Sequence, residues 1–310
     1  MQRRASRVPP DGVAVAKPGA DPLPVEDAAA LRALMARAAH ENFPVAMRLL
    51  PASSRYHLRA IYGFARLTDS LGDEYVGDRS VALDWVEAQL DDLFAGTPRH
   101  PVFEQLAPTV EAFCLSRAPF DDLVAANRMD QVKNRYADWG ELLDYCALSA
   151  NPVGRLVLAV FEADTEERLA ASDAVCSGLQ ILEHIQDVGE DARAGRVYLP
   201  ESGMARFGCT IDDLLAPVAG PGLRRLVAHV EGRTLELLEA GEPLVKSLGG
   251  YARLAVAGFV AGGLAGLEAV RAADHEVLSA KRKAGRIRFL RSLVPLYTGG
   301  LRSRGGTGLP

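Results

Sequence analysis

Apolar residues recur along this chain at steps of three and four, and runs in which Val, Ile or Thr alternate with polar residues are nearly absent. That periodicity predicts helices and no sheet. The helices fall at about 26–40, 54–74, 80–95, 101–117, 120–136, 139–161, 166–193, 210–216, 221–245, 250–277 and 280–293. Breakers at Gly96-Thr97-Pro98, Ala118-Pro119, Ala163-Asp164-Thr165 and from Gly195 to Pro200 separate them, and Ser80, Asp138 and Thr165 stand where N-caps belong. No linker of changed composition divides residues 25–295. The reading is therefore one all-α domain, although 310 residues would by length alone suggest two. Residues 1–24, with Pro9, Pro10, Pro18, Pro22 and Pro24, and the Gly-rich stretch 296–310 carry no periodicity and are expected to be a disordered extension and tail.

Most helices put charge on one side, but 54–74 places a line of polar groups on an otherwise apolar helix. Tyr62, Arg66, Asp69 and Asp73 follow at i, i+4, i+7 and i+11, which confines them to about 60° of arc. Gln180, His184, Asp187 and Asp191 repeat the spacing, with Glu183 at their border. One such aspartate pair is most simply a solvated face. Two pairs on two facing helices make a hard-oxygen site, the chemistry that Mg²⁺ takes when water and phosphate oxygens complete its shell. Arg66, Arg193 and Arg196 lie close in sequence and are suited either to grip phosphate oxygens or to pair with the aspartates.

Charge and cysteine usage narrow the field. With 35 Lys and Arg against 40 Asp and Glu, the chain lacks the basic excess that phosphate-backbone binding requires, and nucleic acid is not an expected partner. Cys114, Cys146, Cys176 and Cys209 are widely spaced with no CxxC, as free thiols in a reducing cytoplasm would be. The uncharged stretch from Leu254 to Leu267 has fourteen residues, too few to span a bilayer, and reads as a buried core helix.

Four segments carry a resemblance. They are Asn42-Phe-Pro-Val-Ala-Met-Arg-Leu-Leu-Pro51, Ala60 to Glu74 with its Asp-Ser-Leu-Gly-Asp, Tyr145-Cys-Ala-Leu-Ser-Ala-Asn-Pro-Val-Gly154, and Gln186-Asp-Val-Gly-Glu-Asp-Ala-Arg-Ala-Gly-Arg-Val-Tyr-Leu-Pro200. With two Asp-x-x-x-Asp motifs about 118 residues apart, the chain resembles the squalene/phytoene synthase family over about residues 36–275. The resemblance implies a helical bundle around a central cavity, several Mg²⁺ ions bridging a diphosphate, and a prenyl diphosphate lipid as substrate. It implies metal and diphosphate roles for Asp69, Asp73, Asp187 and Asp191, a catalytic role for Tyr145, and substrate contacts from Tyr62, Arg66, Glu183, Arg196 and Tyr198. Ser70 stands where many relatives have a further Asp, and Glu183 where they have Asn.

Within that family, Glu41-Asn-Phe-Pro-Val45, Ala126-Asn-Arg-Met-Asp-Gln131 and Ser149-Ala-Asn-Pro-Val-Gly154 are most similar to the bacterial hydroxysqualene synthase branch. That branch implies conversion of presqualene diphosphate and water to hydroxysqualene and diphosphate, with no NADPH. Two alternatives stay open: condensation of two farnesyl diphosphates to presqualene diphosphate, squalene or a phytoene-type product, and a noncatalytic helical scaffold. A cytoplasmic enzyme is expected, with room for peripheral contact at the inner face of the membrane; the sequence sets no oligomeric state.

Three further expectations follow. Asn127, Asp130, Gln131 and Asn134 form a stripe on helix 120–136; if it faces the cavity, Asn127 and Gln131 offer amides that hold the attacking water. Phe43, Phe64, Tyr145 and Phe161 are candidates for an aromatic wall around an otherwise dry cavity, with plain core packing favoured for Phe64 and Phe161. Residues 194–200 are expected to close as a mobile lid. His40, His57, His100, His229 and His275 have no ligand spacing and read as structural; His184 alone lies on a polar stripe.

Overall fold

Thirteen helices form within residues 50–281 and 284–299, the residues described by the computed structural model of the chain. They are α1 (Ala52–Asp73), α2 (Arg79–Phe94), α3 (Pro101–Ala112), α4 (Ala118–Asp130), α5 (Trp139–Ser149), α6 (Asn151–Val160), α7 (Glu166–Arg193), α8 (Glu201–Phe207), α9 (Ile211–Leu214), α10 (Pro221–Glu239), α11 (Gly241–Ser247), α12 (Gly250–Ala272) and α13 (Arg286–Thr298). Among the described residues the only extended pairing is an isolated bridge between Arg135 and Val197. The expected helix at 26–40, together with His40, Phe43 and the expected extension at 1–24, lies outside the described residues.

Local chemistry sets the helix ends. Asp78 accepts from the amides of Ser80 and Val81, Asp138 accepts from the Glu141 amide, and the His100 ring accepts from the Val102 amide. Each satisfies a backbone donor that the first turn leaves open. Asp138 is thus the expected cap and Thr165 holds the N-cap position of α7 without a side-chain bond, whereas the cap of α2 is Asp78 and the expected Ser80 lies inside the helix.

Several boundaries differ from the periodicity for visible reasons. Helix 101–117 stops at Ala112 because the chain turns through a positive φ at Cys114. Helix 139–161 is two helices, α5 and α6, interrupted at Ala150 ahead of Pro152, whose ring cannot continue the hydrogen-bond ladder. Helix 221–245 likewise divides at Ala240, and 250–277 ends before the positive φ of Asp274 and His275. The last helix begins at Arg286 and runs to Thr298, so residues 296–298 are its final turn and not tail, anchored by Leu296 at only 1% exposed. The periodicity predicts no helix where α8 forms, because seven residues carry too little of it.

Two long helices organise the bundle. Helix α1 packs on α2, α3, α4 and α6, and α7 packs on α5, α6, α10, α11 and α12. Between these two groups α4, α5 and α6 act as spacers, leaving a cavity bounded by α1, α4, α5 and α7. Arg128 locks the spacer α4 to α2 through Asp84 at 2.6 Å and Glu87 at 2.9 Å. Phe64 lies in the core with edge contacts to Phe103 and Phe120, and Phe161 packs against Tyr251; neither lines the cavity. Helix α12 is long and apolar enough to cross a membrane, but 61% of its most apolar stretch is buried against the bundle, which makes it the core helix its glycines foretold.

Candidate active site

The stripe on α1 and the stripe on α7 face one another across a cavity of about 250 Å³. Arg66, Asp69 and Asp73 line it from α1; Gln180, Glu183, His184, Asp187 and Asp191 line it from α7. Asn127 and Asp130 come from α4, Tyr145 and Ser149 from α5, and Arg196 and Tyr198 from the strand-like segment after α7. Only Leu123 and Ala126 are aliphatic, so the dry wall expected around the cavity is not found among the described residues, whose lining is mostly polar.

The two aspartate pairs have different partners. Asp69 accepts a hydrogen bond from Asn127 Nδ2 at 3.1 Å, and Asp73 accepts from Arg196 Nη1 at 3.0 Å. Asp187 is held by the Lys281 ammonium at 2.6 Å, and Asp191 lies 3.7 Å from His184 Nδ1. Asp69 meets the water of the cavity, yet protein surrounds it. That desolvation, with the negative charges of Asp73 and Glu183, pushes its pKa up to about 6 against the opposing pull of Asn127 and Arg66.

A second network lies deeper along α4. Tyr145 donates to Asp130 Oδ2 at 2.8 Å and Tyr198 donates to Oδ1 at 3.3 Å. Burial raises Asp130 to about 6, helped by the charge of Asp73 and opposed by the two hydroxyls and Arg196. Burial also pushes both tyrosine hydroxyls well above their ordinary value. The Tyr198 ring is stacked between His184, at 3.6 Å between centroids, and Tyr136, at 5.6 Å. Asp130 lies on the expected stripe, but nothing in the spacing tells that two tyrosines from elsewhere meet it, and neither Tyr136 nor the stacking of His184 has a sequence signal.

Four expected positions behave differently. Gln131 lies outside the lining: its amide donates to the carbonyls of Gly72 and Asn127 at 3.0 and 2.9 Å, tying the end of α4 to the end of α1. Asn134 is not on the helix, which ends at Asp130; its carbonyl accepts the Val197 amide at 2.9 Å. Tyr62 is half-buried one turn before Arg66 and outside the lining, and Arg193 is on the exposed side of α7. Residues 194–200 are not a loose lid in this state. Backbone bonds from Val197, Glu201 and Ser202 reach the carbonyls of Asn134, Tyr136 and Ala137, and Val197, Tyr198, Leu199 and Pro200 are buried.

One close approach sets the spacing at the first aspartate. A Cβ built on Gly72 would sit 2.1 Å from Asn127 Oδ1, so only glycine lets α4 come near enough for Asn127 to reach Asp69.

The donor set fits Mg²⁺ with diphosphate. Asp69, Asp73, Asp130, Glu183, Asp187 and Asp191 supply hard oxygen, and a cation among them would offset the repulsion that Asp73 and Glu183 add to the burial of Asp69. Among the described residues no three such groups converge as a ready-made metal cage. An ion here would be held by one or two carboxylates and share its remaining shell with water and ligand oxygens, as Mg²⁺ commonly does. For the anion, Arg66 and Arg196 each keep a buried Nε–H with no acceptor.

Such a bundle, with paired aspartates facing each other across a central cavity, is the architecture of the all-helical isoprenoid synthases. Residues 36–288 match the squalene/phytoene synthase family. The chain is 34% identical over 212 residues to a hydroxysqualene synthase of Rhodopseudomonas palustris, covering 68% of this chain and 72% of that one. It is 32% identical over 279 residues to the chloroplastic phytoene synthase 2 of Zea mays, covering 83% and 66%. Among solved structures, squalene synthase HpnC from Alicyclobacillus acidocaldarius matches with a TM-score of 0.74 at 39% identity, covering 79% of this chain and 93% of that one. The chain belongs to the squalene/phytoene synthase family, whose members condense isoprenoids head to head, bind prenyl diphosphates and use divalent metal to hold the diphosphate.

Proposed function

We propose that the enzyme converts presqualene diphosphate and water to hydroxysqualene and diphosphate in squalene and hopanoid biosynthesis. The observation that carries this reading is the polar inner wall of the cavity. Asn127, Asp130, Tyr145, Ser149, Gln180 and Tyr198 surround the space behind the aspartates, which is suited to hold water beside a cation rather than to exclude it. The 34% identical relative from Rhodopseudomonas palustris is itself a hydroxysqualene synthase, which supports the same product.

The reaction breaks the carbon–oxygen bond to diphosphate, which departs with the electron pair. Mg²⁺ bound among Asp69, Asp73, Asp187 and Asp191 would neutralise the charge of that leaving group. Arg66, paired with Glu74, and Arg196, paired with Asp73, both line the cavity; turned to the leaving group, such fixed donors lower barriers by several kcal/mol, ~3 for one well-placed group. Water then forms the new carbon–oxygen bond and loses a proton. Asp130, raised to about 6 and hydrogen-bonded to both tyrosines, is the base of that wall. Asn127 serves by fixing Asp69, and Gln131 by keeping α1 and α4 together: its amide is bonded to the carbonyls of Gly72 and Asn127 and not turned to the cavity water.

The test is to supply purified enzyme and Mg²⁺ with presqualene diphosphate in ¹⁸O-water, with and without NADPH. The expected product is hydroxysqualene carrying one ¹⁸O in both cases. Squalene formed only with NADPH, or product formed from farnesyl diphosphate but not from presqualene diphosphate, overturns the reading.

A further inference from the structure

The last described helix is apolar on two faces. Phe289, Leu293 and Leu296 turn inward onto the core. On its outer side Ile287, Leu290, Val294 and Tyr297 are 77%, 55%, 57% and 43% exposed. Their spacing puts them within about 80° of arc on an ideal helix. Single exposed apolar residues are ordinary, but a continuous stripe of four marks a contact surface. The Tyr297 carbonyl accepts from Arg253 at 2.6 Å near the start of α12, where Tyr251 adds another exposed aromatic ring.

Charge tells what would cover this face. From Val277 to Pro310 the chain has eight Lys and Arg and no Asp or Glu, in a sequence that is acidic overall. Arg286 and Arg291 are exposed and bracket the apolar stripe. Among the described residues the acid paired with this helix is Glu268, whose contacts to Arg288 and Arg291 are long, at 3.9 and 3.7 Å. A helix with an apolar stripe, a basic rim and an aromatic end has the make-up of one that lies in a lipid–water interface. The segment also has a fixed place. Lys281 is bonded to Asp187 at the edge of the cavity, and the six residues onward to Ile287 can span at most about 20 Å.

We infer that the outer face of α13 docks the enzyme on an anionic lipid bilayer, with the Asp187 edge of the cavity held beside the membrane surface. Ile287, Leu290 and Val294 enter the acyl boundary, Tyr297 sits at the headgroups, and Arg286 and Arg291 pair with lipid phosphates. The inference does not depend on which product the site makes.

The test uses the full chain and two kinds of vesicle, phosphatidylcholine alone and phosphatidylcholine mixed with phosphatidylglycerol, read by co-sedimentation. Binding to the mixed vesicles is expected to be at least about tenfold tighter, and to weaken with salt. A triple variant, Ile287→Ser with Leu290→Ser and Val294→Ser, and a double variant, Arg286→Glu with Arg291→Glu, should each lose at least about tenfold in vesicle affinity. Both should turn over detergent-solubilised substrate at the normal rate, since these side chains touch nothing in the cavity. The double variant alters only exposed charges and decides the matter if the triple variant unfolds. Absence of binding to anionic vesicles, or undiminished binding by the variants, overturns the inference. So does a wild-type dimer that the triple variant makes monomeric without change in vesicle binding, which would give the face to a second copy.

Discussion

The two Asp-x-x-x-Asp motifs read alike in sequence and stand in unlike surroundings. Asp69, the first residue of the α1 pair, is held by a neutral amide, and burial, with the charges of Asp73 and Glu183 added, lifts it to about 6. Asp187, its counterpart on α7, is already matched by an ammonium from Lys281. At the first residue of each motif only the α7 pair has a bonded cation, and at the second the order is reversed, with Arg196 on Asp73 and only His184 at 3.7 Å from Asp191. The lesson is that identical spacing fixes where carboxylates point but not their charge balance, which is supplied by residues 58 and 94 positions away.

The contrast can be broken most severely at the carboxylates. Asp69→Asn and Asp187→Asn keep shape but lose hard-cation affinity, and each should lower kcat by about 10³ or more while thermal unfolding stays cooperative. A rate within tenfold of wild type, measured with excess Mg²⁺, would refute the metal-clamp assignment. Asn127→Leu attacks the same side more gently. It removes the one amide on Asp69, and a product-resolved assay should show turnover down by about tenfold, with hydrocarbons appearing beside the alcohol.

Proton linkage sharpens the comparison next. Asp130, like Asp69, has a folded pKa raised from 3.8 to about 6. The native state therefore binds protons more readily than the unfolded chain between these values. The resulting stabilisation is complete below about 3.8 and is lost as the pH rises through about 6. In metal-free buffer, Asp130→Asn should flatten this part of the dependence. Its Tm should gain on the wild type as the pH is raised from about 5 to about 7, and parallel curves would show that Asp130 does not titrate there.

Smaller effects test the α7 side. The Lys281–Asp187 pair is half open to water, and such pairs are worth about 0–1 kcal/mol. Lys281→Met should therefore lower the Mg²⁺ concentration for half-binding by no more than about fivefold in calorimetry without diphosphate. Gln131→Leu should leave the product unchanged and cost about 1–2 kcal/mol of stability through two lost bonds to helix-end carbonyls. A changed product would return Gln131 to the cavity.

How much of this was written in the sequence can be traced residue by residue. Asp69, Asp73, Asp187 and Asp191 were legible because helical periodicity carries side-chain direction, and two long helices keep that phase for many turns. Ala150 and Ala240 were not legible as breaks, since apolar periodicity runs across them and only tertiary packing reveals the interruption. Asn127 and Gln131 shared one stripe, yet α4 ends between them at Asp130, and four residues of spacing put one amide in the cavity and the other on a backbone carbonyl. The union of Tyr145, Tyr198 and Asp130 needed the fold, because its members come from three elements with no common period.

Gly72 gives the first aspartate a tuning point that carries no charge. Any methyl group there collides with Asn127, so the smallest substitution, Gly72→Ala, must push the amide away or part α1 from α4. A site usually described by its acids and bases therefore has its gauge set by a missing carbon atom. Enzyme engineers who wish to shift the geometry around Asp69 without touching a ligand have in position 72 a mechanical adjustment, with a travel limited to whatever the neighbouring amide can yield.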